Sequence, residues 1–323
     1  MKNRAIVLLS LLLVGTHAAA ATKPLTPEAV NDPTLLEPVG RKAGAAAVLR
    51  AQVLLDRAHF SSGEIDAGFG SNTRKAIAGY QTSQGLSVSG TLDEATWAAL
   101  NRDTAPVLVP YMLSESDVAG PFVTVPKDMM EKSALPSLGY ESVLEALGEK
   151  FHASPKLLQR LNPGKDLTVG GQEIVVPAVQ ETAPLGTVAK VVVDRSDSTV
   201  TLLDQQEQIL GQFPASTGSK HDPLPVGEWK IQAVAENPEF HYNPELFWDA
   251  DPTHAKAKIA AGPNNPVGLV WVDLSKEHYG IHGTPEPSRV GKTQSHGCIR
   301  LTNWNAQVLA KAVRAGMPAL LQE

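Results

Sequence analysis

The sequence predicts a multidomain α+β protein: a small three-helix N-terminal domain, a mixed α/β module in the middle, and a mainly-β C-terminal domain. Three observations carry this. Apolar residues recur at helical spacing between residues 43 and 103, β-branched runs broken by polar turns fill the chain from 186 to 323, and residues 107–178 combine both patterns. A length of 323 residues accommodates two or three such units.

Lys2 and Arg4 precede the short apolar run "AIVLLSLLLVG", and "HAAAAT" then offers small residues near Ala20 or Ala21. Basic start, apolar stretch and small-residue exit read as a signal peptide over 1–21. The run is shorter than the about 20 residues of a membrane span, which leaves an uncleaved anchor as the weaker alternative. No cysteine follows it, which excludes lipid attachment there, and no later segment is apolar for long enough to cross a bilayer. The expected address is the periplasm or cell envelope, with no stable membrane insertion after cleavage. Residues 22–42 hold four prolines and little periodicity, and read as a linker.

In the 43–103 unit, "AAAVLRAQVLLDRAHF" sets Leu49, Val53 and Leu54 on one helical face. After the turn "SSGEIDAGFG", Ser71 or Asn72 is placed to cap a helix turning Ala76, Ile77 and Tyr80 inward. "GTLDEATWAAL" starts a third helix, with Thr91 and Glu94 at capping-box spacing. In the 107–178 unit, "SVLEALGEKFHASPKLLQRLNPGKDLTVGGQEIVVP" reads as helix, turn, helix and strand, with Pro155 at the start of the second helix. A first strand is expected near 110–113, followed by a long insertion. The strands after 186 are interrupted by "NPEFHYNPELFWDADPTHAKAKIAAGPNNPVG". A segment of that length inside a compact domain is commonly functional, and its Phe240, Tyr242, Phe247 and Trp248 suit either a wall over a site or a plug of the domain's own core.

The formal charge is −6, and removing the signal would take two basic residues and no acid. Such a balance argues against nucleic acid, whose affinity comes from Lys and Arg neutralising phosphates. His221, His241, His254 and His278 do not fall at H-x-x-x-H spacing and there are no cysteine pairs, so neither a metal nor an organic cofactor is expected.

Cys298, within "SHGCIR", is the only cysteine. An exported lone thiol has no internal disulfide partner, and burial or use are its main alternatives. Use requires a base within reach or positive charge nearby. His282 ends an expected strand, and the loop "GTPEPSRVGKTQ" can return the chain so that Cys298 lies beside it. His296 stands two residues before Cys298 and would share its face in a strand, so either imidazole is a candidate. Arg289, Lys292 and Arg300 crowd the region with no acid between Pro287 and Gln322, a balance expected to favour thiolate. Gly297 permits a tight turn whose backbone N–H groups face an oxyanion.

"IHGT" followed by "SHGCIRLTN", with "ASTGSKHDPLPVGEWKI" and "GPNNPVG" upstream, resembles the catalytic signature of the L,D-transpeptidase (YkuD-type) family over 186–323. Leu224 stands where the family more usually has threonine. The 43–103 unit resembles the small peptidoglycan-binding domain of wall enzymes on "IDAGFGSNTRKAIAGYQTSQGLSVSGTLDEATWAAL", and 107–178 is similar to LysM modules on "LLQRLNP" and "VGGQEIVVP". The resemblance implies an exported cysteine acyltransferase acting on peptidoglycan. Cys298 would be nucleophile, His282 proton donor and acceptor, His296 a supporting group and Gly297 a backbone oxyanion donor, with Ser295, Arg300, Gly283 and Thr284 in substrate binding. The implied reaction cleaves a diaminopimelate–D-alanine bond through an acyl-thioester and passes the acyl group to an amine, forming a 3–3 cross-link. Water or a lipoprotein amine are alternative acceptors, and a non-catalytic wall-binding protein is the alternative from another class.

Overall fold

The computed structural model describes residues 25–180 and 183–323, so the signal peptide expected over 1–21 lies outside the described residues. Residues 25–42 are folded where a linker was expected. Helix α1 (Pro27–Asn31) buries Val30, and Val39 bridges Leu92 of the helical unit. The Asn31 side chain accepts the N–H groups of Val107 and Leu108 and donates to the Leu108 carbonyl. The prolines here set a helix start (Pro27 at its first turn) rather than an unstructured spacer.

Helices α2 (Ala45–Arg57), α3 (Ser71–Ser83) and α4 (Glu94–Leu100) bury Leu49, Val53 and Leu54, Ala76 and Ile77, and Trp97. Two caps differ from expectation. Gly70 caps α3 without a side-chain bond, and Asn72 instead sends its amide to the Val290 carbonyl. Asp93, not Thr91, caps α4: its carboxylate accepts the Thr96 N–H at 2.9 Å, and Thr91 lies two residues too early to reach.

In the middle unit, β1 (Leu108–Met112) and β2 (Glu173–Pro177) pair antiparallel, Leu108 beside Pro177. Between them run α5 (Glu115–Val118), α6 (Met129–Ser133), α7 (Val143–Lys150) and α8 (Pro155–Leu161), the last capped by Ser154 with Pro155 in its first turn. One continuous core joins this unit to the helices. The buried Arg57 stitches the junction, binding Asp103 and the Ala105 and Pro106 carbonyls.

The C-terminal unit is a curled, mainly-β domain. Its strands are β3 (Lys190–Asp194), β4 (Thr199–Leu203), β5 (Ile209–Pro214), β6 (Gly227–Glu236), a hairpin of β7 (Phe240–Tyr242) and β8 (Ala257–Ile259), then β9 (Val270–Leu274), β10 (Gly280–His282), β11 (Ile299–Arg300) and β12 (Pro318–Gln322). The main sheet runs β11-β10-β9-β6-β12-β3-β4-β5. The long β6 pairs with β12 at one end and β9 at the other, with a register shift between Ile231 and Ala233 that bends the sheet there. Helix α9 (Asn303–Ala312) buries Ala306 and Leu309 in the same core as Val272, Ile281 and Ile299. The edge strand β5 is covered by the helical unit: Ser61 N–H donates to the Gln212 carbonyl at 3.0 Å, and Gln212 N–H to the His59 carbonyl at 2.8 Å.

Glu149 of α7 faces the C-terminal domain, where the Asn303 amide donates to it at 3.2 Å. It lines a cavity of about 800 Å³ with Trp304 and Lys311. Burial, with the Glu145 charge adding, pushes its carboxyl up from 4.5 to about 8. A carboxyl raised on folding stabilises fully below its unfolded value, and that stability is lost as pH rises through the folded one. Thermal melts of Glu149→Gln and wild type should therefore run parallel below pH 4.5, with the wild type alone losing stability as pH climbs to about 8.

Candidate active site

The parallel pair β10 and β11 assembles the motif. Ile281 sits beside Ile299 and His282 beside Arg300. Both isoleucines are fully buried in the core, so alternation turns His282 and Arg300 to the opposite face, and Cys298 stands in the bend directly before β11. Ser216 clamps β11 from its other side, exchanging both backbone bonds with Arg300. Ser295 donates its N–H to the Thr217 carbonyl at 3.1 Å and its hydroxyl to the Cys298 carbonyl, closing the turn that presents the thiol. Gly297 within that turn has φ +96°, and an added Cβ would lie 2.8 Å from Tyr279 Cε1. Only glycine fits both the backbone and the ring.

His282 is 4% exposed. Its Nδ1 lies 2.6 Å from the Gly283 carbonyl, which only accepts, so Nδ1 carries the proton and Nε2 is left bare. Trp271, the β9 neighbour of His282 in register, stacks on the imidazole at 5.6 Å between ring centres. Burial pushes His282 down to about 3; the Arg300 charge adds to this and the Gly283 bond opposes it. The ring is a neutral base at neutral pH.

Cys298 is partly buried, its Sγ 3.7 Å from the His278 carbonyl. Burial raises the thiol, and the Gly280 N–H and Arg300 pull it back only in part. The expected crowd of positive charge does not form: Arg289 pairs with Glu286 at 3.0 Å, and Lys292 donates to the Ser288 carbonyl. The resting thiol is thus protonated, and the thiolate expected from the local sequence is not favoured. Arg300 has no ion-pair partner among the described residues, since Glu286, whose charge reaches it, is held by Arg289.

His296 does not share the thiol's strand face, because residues 296–298 form a bend through Gly297. It faces the β7–β8 segment, where both Asp249 carboxylate oxygens lie 3.0 Å from its Nε2 and the Phe247 ring packs edge-on at 5.5 Å. Gly283 donates to the Val270 carbonyl, and the buried Thr284 hydroxyl accepts the Glu286 N–H at 3.3 Å, so both shape the loop leaving β10. The N–H groups of Gly297 and Cys298 find no protein acceptor among the described residues. The aromatic segment divides its labour: Tyr242 is buried with Ile259, whereas Trp248 is 62% exposed and stacks on His221 at 4.5 Å. Sequence reasoning missed Trp271, Tyr279 and Asp249. Tyr279 stands between His278 and Gly280 in "HYGIHG", which was an available signal, whereas Trp271 stands between two valines in "GLVWVDL" and carried none.

The family comparison picks out this β domain. Residues 189–321 match the model of the L,D-transpeptidase catalytic domain, and residues 44–100 match that of the "Putative peptidoglycan binding domain". The "Putative L,D-transpeptidase YqjB" of Bacillus subtilis is 30% identical over 135 residues, 40% of this chain and 68% of that protein. The "Putative L,D-transpeptidase YkuD" of Bacillus licheniformis is 29% identical over 177 residues, 54% of this chain and 89% of that protein. The solved L,D-transpeptidase from Mycobacterium smegmatis overlays with a TM-score of 0.35 at 24% identity, over 48% of this chain and 64% of that structure. The chain belongs to the L,D-transpeptidase family, whose members are transferases. No helix among the described residues is long and apolar enough to cross a membrane.

Gly297→Ala is expected to slow alkylation or acylation of Cys298 by about 100-fold, since displacements near 1 Å cost that much at a reacting centre. A rate measured by intact mass that matches wild type would show that the turn tolerates the side chain.

Proposed function

We propose that this chain is an exported cysteine L,D-transpeptidase acting on peptidoglycan stem peptides. The observation that carries the reading is the neutral His282, its Nδ1–H fixed on the Gly283 carbonyl and its Nε2 bare, on the strand that pairs with β11 directly after Cys298. His282 takes the Cys298 proton as the sulfur attacks the carbonyl of the third stem residue, a diaminopimelate. The N–H groups of Gly297 and Cys298 receive the developing oxyanion, each donor contributing about 3 kcal/mol to the barrier reduction. The proton returns from His282 to the leaving D-alanine amine, and an acyl-thioester remains. An amine of a second stem peptide then attacks, gives its proton to His282 and frees the thiol, leaving a 3–3 cross-link. Ser295 holds the turn, His296 supports it from the Asp249 side, and Gly283 and Thr284 line the approach.

Proton transfer from a neutral thiol to a neutral imidazole occurs as the bond to carbon forms, so no charged pair has to be kept in a buried site. Arg300 is read as the anchor for a substrate carboxylate, because its charge reaches the thiol and it has no ion-pair partner among the described residues. The βααβ order of 107–178 supports a LysM-like reading of the middle unit, with α5 and α6 as its insertion. Domain limits of 43–103, 107–178 and 186–323 follow from these assignments. The wall-binding units would hold the enzyme on its polymer.

The test is mass analysis of products from a disaccharide-tetrapeptide. Wild type should release D-alanine and yield cross-linked dimers, Cys298→Ser should yield neither, and His282→Gln should lose at least about 100-fold in rate, the scale of general acid–base catalysis. Tripeptide without dimers would instead mark water as the acceptor. Arg300→Gln should raise KM about 10-fold with a smaller change in kcat, as expected for a charge-assisted bond made equally in ground and transition states. A fall confined to kcat would assign Arg300 to the turn instead of the substrate.

A further inference from the structure

The insertion between Leu113 and Val143 in the middle unit grips the hairpin beside the thiol. His254, in the β7–β8 connection, is held from two sides. Its Nε2–H donates to Asp128, the α6 cap, at 2.8 Å, and its Nδ1 meets the Tyr242 hydroxyl at 2.9 Å. Leu138 is fully buried against Tyr242 and Ile259. Its N–H donates to the Ala261 carbonyl and its carbonyl accepts the Asn264 N–H, both at 3.0 Å. The approach is close enough that a Cβ on Gly262, at φ +142°, would lie 2.2 Å from the Leu138 carbonyl oxygen. The Asn264 amide then binds the Gly139 carbonyl and Glu145.

The hairpin is thus fixed at its flank and its root by a different unit of the chain. Its tip carries Phe247, Trp248 and Asp249, all of which meet His296, and His296 stands two residues before Cys298. The Phe247 ring at the tip packs on the anchored Tyr242, with ring centres 5.7 Å apart.

We propose that the insertion is a positioning element of the transpeptidase site. Asp128 and Leu138 fix the hairpin, the hairpin fixes Asp249, and Asp249 holds His296 and the turn that presents the thiol. The inference rests on Cys298 being the nucleophile. It makes the middle unit part of the catalytic machinery rather than only a wall anchor.

The experiment uses the full chain and a carbapenem as acylating probe, followed by intact mass over time. Asp128→Ala and Asp249→Ala should each slow acylation about 10-fold while the final adduct is unchanged. The double variant should be no slower than the slower single one, because both act along one line of contacts. Asp128→Asn keeps an acceptor for His254 and should recover most of the rate, and Lys127→Ala, exposed next door, should match wild type. Should Asp128→Ala misfold, Tyr242→Phe removes only the hydroxyl on His254 and should slow acylation with little change in melting temperature. Wild-type rates in Asp128→Ala or Tyr242→Phe, or losses that multiply in the double variant, overturn the proposal. Absence of any adduct on wild type would overturn the nucleophile reading itself and this inference with it.

Discussion

The structure of the site depends on the parallel pairing of two very short strands. Placing Ile281 against Ile299 sends both side chains into the core, and the same register puts His282 and Arg300 on the other face. A slip of one residue would invert this arrangement and bury the wrong groups. Two bonds between Ser216 and Arg300 and one from Leu301 to the His282 carbonyl oppose such a slip, because they hold β11 from both sides. Helix α9 packs Ala306 and Leu309 into the same core as the two isoleucines.

From the register follows the electrostatics. A base that is buried near the Arg300 charge takes up no second proton at rest, although its Gly283 bond favours one, and a thiol drawn into a low-dielectric region keeps its own. Neutrality on both sides spares the fold a buried ion pair. The Arg300 guanidinium, which has no ion-pair partner among the described residues, reaches both groups with its charge.

Much of this was legible in the sequence because it is local. The "IHGT" and "SHGCIR" stretches, the inward faces of the helices and the Pro155 helix start all depend on neighbours a few residues away. What was illegible is mostly long-range. Asp249 reaches His296 across 47 positions and Asp128 reaches His254 across 126, distances over which spacing carries no signal. The alternation rule misplaced His296 because the left-handed Gly297 breaks the strand. The charge argument failed for a related reason: it counted acids only after Pro287, and Glu286 stands one residue earlier to take up Arg289. Residues 25–42 look like a spacer by proline content, yet Val30, Val39 and Asn31 find partners in two later units.

The most direct test of the central claim is a pH titration of Cys298, following the rise of thiolate ultraviolet absorbance in wild type with Cys298→Ser as the blank. A protonated resting thiol predicts no thiolate signal at neutral pH and a midpoint above that of an ordinary cysteine, as burial requires. A thiolate already formed in mildly acidic solution would contradict it, because the sulfur would then be stabilised as an anion by a protonated His282.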